Sequence, residues 1–449
     1  MALKQLLALV LGASTAVAQH LVPRNDSVSP HFDAVSKYIE SIEDDLWSIN
    51  KEIHDNPELG FEEEKAHDLL TTYLESQDGW KVTRSVHNFS TAFTAVFEGS
   101  GDGPVVSFNA EYASDALPEL GHACGHNLIA TASLAGALAT AEIMRSEKLS
   151  GKVVLFGTPA EESLGGKIRM LEAGIFEDYG IDVSIMAHPG TYDTPYAKTN
   201  AADRFQVEYY GKEAHASDGP HEGINAQDAL VLAYNAVSML RQQSLSTDQI
   251  HGIITSGGSR VNIIPSLATA SFQIRSQDGA DLEKWTERVM ACFEAGAIAT
   301  GAKLNLTMLP YGYANMVTNN IMAESYASWF AELGGSLNDP IVDKLRDPSA
   351  STDQGDVSHA YPAIHPWFAI ATANGTKPET GPHTTAFGEA AGSKPAFERA
   401  LRTSKGLAGV AVDILTKDGM LERIKEEFEN VELSKRMVRG IESSMYSYP

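Results

Sequence analysis

An α/β protein is predicted: a larger domain built on a mostly parallel (mixed) sheet flanked by helices, with a smaller ferredoxin-like α+β domain inserted into it. Three observations carry that prediction. Short apolar runs alternate with helical stretches over roughly the first two hundred residues. The pattern then changes, between about 202 and 310, to strands of period two separated by two amphipathic helices. Beyond Tyr311 the first pattern returns.

Taken in order, PHFDAVSKYIESIEDDLWSINKEIHDNP reads as an amphipathic helix and EEEKAHDLLTTYLES as a second. The runs TAFTAVFEG (91–99), PVVSFNAEY (104–112), KVVLFGTPA (152–160) and VSIMAHP (183–189) suit buried strands. Helical stretches separate them, notably LIATASLAGALATAEIMRSE (128–147). In RFQVEYYGK, Phe205, Val207 and Tyr209 share one strand face. A helix, NAQDALVLAYNAVSMLRQQ, follows it, then the strands QIHGIITSGG and LATASFQIRS, a helix from Asp281 to about 299, and the strand KLNLTML. That βαββαβ order is the ferredoxin-like arrangement. AIHPWFAIA (363–371) resumes the first domain. The boundaries expected are therefore 30–201 and 311–449 for the larger domain and 202–310 for the insert.

The leader MALKQLLALVLGASTAVA (1–18) has an early lysine, an apolar run and a small-x-small ending, the form of a secretory signal cleaved before Gln19. It is too short, and too rich in small residues, to span a membrane, and no later stretch is expected to do so. Sequons at Asn25, Asn88, Asn305 and Asn374 fit an exported, soluble, extracellular protein carrying N-glycans. The roughly 430 residues after the leader are enough for two domains. A formal charge of −25 argues against nucleic acid and anionic membrane surfaces, which need a basic face for counterion release. Of the two cysteines, Cys292 shares a helical face with Leu282, Trp285, Val289 and Phe293 and reads as core. Cys124 is then left for other chemistry.

Several ligand-type residues fall at the C-terminal ends of predicted strands, where open α/β sheets place their sites. GTPAEES sets Glu161 and Glu162 directly after a strand; adjacent carboxylates repel and need a cation or a raised pKa. HACGH supplies the Cys124 thiolate and the His126 imidazole, soft ligands suited to zinc. MAHPG brings His188, and GPHTTAF brings His383. Each alone has an ordinary structural explanation. Together, Cys124, His126, Glu162, His188 and His383 suffice for two divalent ions, and Glu161 is left over to accept a proton from water. No G-x-S-x-G elbow occurs, PHEGIN lacks the second histidine of a zincin helix, and no phosphate loop follows a strand.

These motifs resemble those of the aminoacylase/carboxypeptidase G family of metallopeptidases. The match lies in its amidohydrolase branch, similar to p-aminobenzoyl-glutamate hydrolase and the β-alanyl-lysine dipeptidase-like proteins. HDNPELGFEE (54–63), DALPELGHACGHN (115–127), GTPAEESLGGK (157–167), MAHPG, GKEAHAS (211–217), GINAQDA (223–229), NIIPSLATASFQIRS (262–276), STDQGDVSH (351–359) and GPHTTAF carry the resemblance, in order, over most of the chain. It implies that Cys124, His126, Glu162, His188 and His383 are the metal ligands and Glu161 the general base. It implies too that the insert is a lid and dimerisation domain, through which the chain forms a homodimer. His215 then resembles the histidine that reaches a partner's site and stabilises the oxyanion, and Asn262 and Arg275 resemble residues holding substrate. The chain departs from the family in AEYASDALP, where Ala113 and Ser114 are extra before Asp115. Asn127 stands where the indole-acetyl-amino-acid hydrolases tend to have Asp, although the dipeptidase-like group also uses Asn, and His122 reads as supporting or structural.

The expectation is a secreted, metal-dependent amidohydrolase or peptidase that cleaves N-acyl amino acids or dipeptides with metal-activated water. Cysteine and histidine ligands lean toward zinc, with manganese left open. Two alternatives stand beside it: an amide-processing or amide-forming enzyme of a small-molecule pathway, and a non-catalytic binding or assembly protein. The intact ligand set counts against the second.

Overall fold

The computed structural model describes residues 29–114 and 121–431. The leader, Asn25, Asp115 and the C-terminal residues lie outside the described residues. The long N-terminal amphipathic stretch forms two helices, α1 (Phe32–Ser41) and α2 (Glu43–Asp55), because Ile42 leaves helical geometry at φ −111°, ψ 12°. Helix α3 (Glu64–Glu75) follows. The larger sheet is made of β1 (Trp80–Arg84), β2 (Phe93–Glu98), β3 (Val105–Ala110), β4 (Lys152–Gly157), β5 (Val183–Ile185) and β11 (Ala363–Ile364). Its order is β1-β2-β4-β3-β5-β11. Strands β4, β3, β5 and β11 run parallel, and β2 and β1 close one edge antiparallel, so the sheet is mixed.

Period two places the side chains of β4 on both faces of the sheet. Val153 and Leu155 enter the main core with α4 (His126–Glu147) and the C-terminal helix Lys394–Thr416. Val154 and Phe156 face the other way, onto Met170, Ile175 and Phe176. Helices thus cover both faces, as a parallel sheet requires. Contrary to the sequence expectation, α4 is long and apolar enough to cross a membrane, but 94% of its most apolar stretch is buried inside the domain. Its alanines and glycine pack against protein, so it is a core helix.

Two expected strands are interrupted. VSIMAHP divides into β5 and β6 (His188–Gly190), and AIHPWFAIA into β11 and β12 (Trp367–Ala369); β6 and β12 pair with each other in a separate small parallel sheet. The break turns His188 out of the large sheet.

The inserted domain consists of β7 (Ala201–Tyr210), helix Ala226–Leu240, β8 (Gln249–Ser256), β9 (Leu267–Ser276), helix Gly279–Thr300 and β10 (Lys303–Met308). Its strands form an antiparallel sheet in the order β10-β7-β9-β8, the ferredoxin-like βαββαβ topology. Phe205, Phe272, Trp285, Val289 and Phe293 fill its separate core, with Phe272 edge-on to Phe293 at 5.0 Å. Cys292 packs against that core, and neither it nor Cys124 is in a disulfide.

Candidate metal centre

The C-terminal ends of the parallel strands supply the site, and local backbone devices aim its side chains. Strand β3 ends at Ala110, so Glu111 is the first residue beyond it. In the Cys124-Gly125-His126 turn, Gly125 adopts φ 81°, and a Cβ there would come within 2.7 Å of Pro189 Cγ. Only glycine meets both demands. The close approach brings His188 against Cys124, with Sγ 3.3 Å from Nε2. The turn also starts α4, whose first residue is His126.

After β4, Ala160 is held in the left-handed region at φ 59°, a strained conformation for a residue with a Cβ. Its amide donates to Glu63 Oε1 at 2.8 Å. That contact gives the acidic run of HDNPELGFEE a physical role. The short helix Glu161–Leu164 then begins, and the Tyr313 hydroxyl donates to the Glu161 carbonyl. His383 also has positive φ, 62°, and its amide donates to the Ala123 carbonyl at 2.9 Å. This ties the C-terminal loop to the cysteine turn.

Donor atoms from these segments converge in three overlapping groups, each with its atoms within 4.8 Å of one another: Cys124, His126 and His188; Cys124, Glu162 and His383; Glu111, His126 and Glu161. Cys124 belongs to the first two. The Glu162 carboxylate lies 3.7 Å from His126 Nε2 and 3.8 Å from His383 Nε2. Glu161 Oε2 is 3.9 Å from His126 Nε2. Cys124, His126 and Glu161 are buried, whereas the His383 side chain is 54% exposed and forms the open side.

Electrostatics distinguish this cluster from an ordinary hydrogen-bonded network. Burial pushes Glu161 well above the usual carboxylate range, and Glu162, Glu111 and Asp353 push it further. Burial lowers His188 to about 4. Burial would raise Glu111 too, but Lys167, His126 and His188 outweigh it and bring Glu111 to about 2. His126 has no exposed surface, and neither of its ring nitrogens has a hydrogen-bond partner among the described residues. Closely packed carboxylates with a thiol and the unsatisfied His126 imidazole fit divalent cations, which supply the missing positive charge and accept such lone pairs.

Sequence reasoning missed the polar layer below the cage. Lys167 is fully buried, its Nζ 2.5 Å from Glu111 Oε1 and 2.6 Å from Asp353 Oδ1. Glu111 and Asp353 were legible only as members of the quoted motifs, and Lys167 as the end of GTPAEESLGGK. His122 is buried, stacks on His54 with ring centres 6.3 Å apart, and is lowered to about 3 by burial. Asn127 is buried, its amide donating to Asn50 and to the Ala391 carbonyl. The extra residues Ala113 and Ser114 are buried, the Ser114 amide donating to the Glu58 carbonyl at 2.7 Å.

The catalytic and substrate-binding candidates expected from the inserted domain divide into two sets. Arg275, near the end of β9, is half-buried and lies within the electrostatic reach of Glu161 and Glu162. Its Nε has no hydrogen-bond partner among the described residues. His215 and Asn262 lie together on the inserted domain: His215 bridges to Ile263, and the Asn262 carbonyl accepts from Ala216 at 3.0 Å. Neither belongs to the three donor groups. Asn88, Asn305 and Asn374 are exposed.

Comparison with known proteins agrees with this architecture. Residues 199–300 match the model of the peptidase dimerisation domain. The chain is 38% identical over 429 residues to the Xaa-Arg dipeptidase of Mus musculus, covering 93% of this chain and 94% of that one. This chain belongs to the M20 peptidase family. It is a metallopeptidase of that family, a hydrolase of amide bonds. It is also 34% identical over 273 residues to a p-aminobenzoyl-glutamate hydrolase chain of Escherichia coli (strain K12), over 56% of this chain and 55% of that one. In three dimensions it resembles a dinuclear metal binding peptidase of the M20 family from Bacillus subtilis, with a TM-score of 0.62 and 20% identity over 84% of this chain and 99% of that one.

Proposed function

We propose that this M20 member is a secreted peptidase or amidohydrolase that holds two divalent cations, zinc with manganese as the alternative, and cleaves dipeptides or N-acyl amino acids. The observation that carries the reading is the sharing of Cys124 between two donor groups: one thiolate common to Cys124, His126 and His188 and to Cys124, Glu162 and His383. Two cations held there would supply a lowered water pKa and polarisation of the amide carbonyl. The relatives' names, a dipeptidase and a p-aminobenzoyl-glutamate hydrolase, support the substrate class. The leader and the exposed sequons support export.

The chain's own residues divide the work. Glu161, buried beside the cage and raised toward the proton-accepting range, takes a proton from the attacking water and delivers it to the amide nitrogen as the C–N bond breaks. A free acid and a free amine leave. Arg275 presents a planar guanidinium to the substrate's carboxylate, and Asn262 adds a side-chain amide from the same inserted domain. His215, exposed here, would donate to the carbonyl oxygen when a second copy brings its inserted domain over the cage. Edge strand β8, with Ile253 66% and Ile254 49% exposed, supports a homodimer formed through this domain.

The test is hydrolysis of a dipeptide and N-acyl amino acid panel before and after chelation. Activity is expected to vanish with chelator and return with zinc or manganese, and Glu161→Gln is expected to lower kcat by about 10²–10⁴-fold. Activity indifferent to chelator, or intact in Glu161→Gln, would overturn the proposal.

A further inference from the structure

Glu111 is the residue whose environment is least accounted for by the five expected ligands and the base. It is 1% exposed, and its two oxygens are treated differently. Oε1 accepts from Lys167 Nζ. Oε2 has no hydrogen-bond partner among the described residues, and it lies 3.6 Å from His126 Nε2. A buried carboxylate oxygen without a partner is costly and uncommon, so something else must satisfy it.

The charge count leads to the same place. Asp353 uses both of its oxygens on Lys167: Oδ1 takes the ammonium at 2.6 Å and Oδ2 the backbone amide at 2.8 Å. One buried lysine therefore serves two buried carboxylates, and the surplus negative charge sits on Glu111, facing the cage. Two donors about 2.0–2.2 Å from one tetrahedral zinc lie roughly 3.4 Å apart. The 3.6 Å between Glu111 Oε2 and His126 Nε2 is close to that spacing. Glu161 completes a three-residue group with them.

We propose that Glu111 is a further protein ligand of the cage, its Oε2 atom coordinating the cation that His126 also holds while Lys167 fixes its other oxygen. The inference rests on the two-cation reading above. It assigns Lys167 a positioning role: by occupying Oε1 it leaves Glu111 a single coordinating oxygen. If the layer were only an internal ion pair, glutamine at 111 would still accept from Lys167, and removing the surplus charge would leave cation binding untouched.

Zinc titration against a competing chelator, on metal-free wild type and Glu111→Gln, separates these cases. Wild type is expected to take up two zinc ions. Glu111→Gln is expected to bind one of the two at least about tenfold more weakly, while the thermal midpoint of its metal-free form stays equal to or above that of wild type. Equal affinities in the two proteins would overturn the assignment and leave the two-cation reading standing; wild type that binds no zinc would overturn both. A crystal structure of zinc-loaded wild type decides independently of the variant's folding. Oε2 is expected within about 2.2 Å of a zinc ion, and a gap beyond about 3 Å would overturn the assignment.

Discussion

Cys124, His126 and Glu161 lie in the interior of the larger domain, each set by backbone contacts from more than one segment, whereas His215 and Asn262 stand exposed on the inserted domain. The first set is fixed by a turn geometry that only glycine accepts, a strained Ala160 clamped by Glu63, and a lysine sandwiched between carboxylates. The second set is supported by its own loop: the His215 ring accepts from the Ser217 and Asp218 amides. One region lies inside a single domain, and the other stands open to solvent. Cation binding should therefore belong to the larger domain alone, and the last step of substrate capture to the meeting of domains or of copies.

Three variants sharpen that contrast. The largest effect is expected below the cage, where Lys167→Met leaves Glu111 and Asp353 buried without their cation. Removing one partner of such a network costs about 3–5 kcal/mol, so the urea midpoint of the metal-free protein should fall steeply. A loss under about 1 kcal/mol would mean that the layer is not what holds these strand ends. On the inserted domain the folded state should hardly change. His215→Ala is expected to leave the melting midpoint and zinc content unaltered but lower kcat about 10²–10³-fold, and Arg275→Lys to raise KM by about tenfold with a smaller change in kcat. Loss of zinc in either variant would break the division between the two regions.

Much of this architecture was written in local pattern. The apolar runs 104–112 and 152–160 became β3 and β4 because each is short, β-rich and buried on both faces. The alternation in RFQVEYYGK became β7 with Phe205, Val207 and Tyr209 buried. The candidate ligands were legible because each sits in a distinctive turn after such a run. Other features depend on contacts that no local pattern encodes. The break at Ile42 and the division of VSIMAHP interrupt a periodicity that by itself predicts one element in each place. Residues 128–147 were legible as a helix, but the length and apolarity of α4 suit a membrane span as well, and only its burial in the domain distinguishes the two. Lys167 meets Asp353 across 186 positions of sequence; a lone lysine after two glycines reads as surface until both carboxylates are seen around it. Glu63 was quoted within its motif, yet its task, holding Ala160, is visible only in three dimensions.

In the proposed cage one thiolate is common to both halves. Elemental analysis of cations per chain, on purified wild type and Cys124→Ala dialysed side by side, tests it most directly. Wild type should retain two equivalents and Cys124→Ala should lose both together, because its sulfur serves each group. Two equivalents retained in Cys124→Ala, or none in wild type, would contradict the claim.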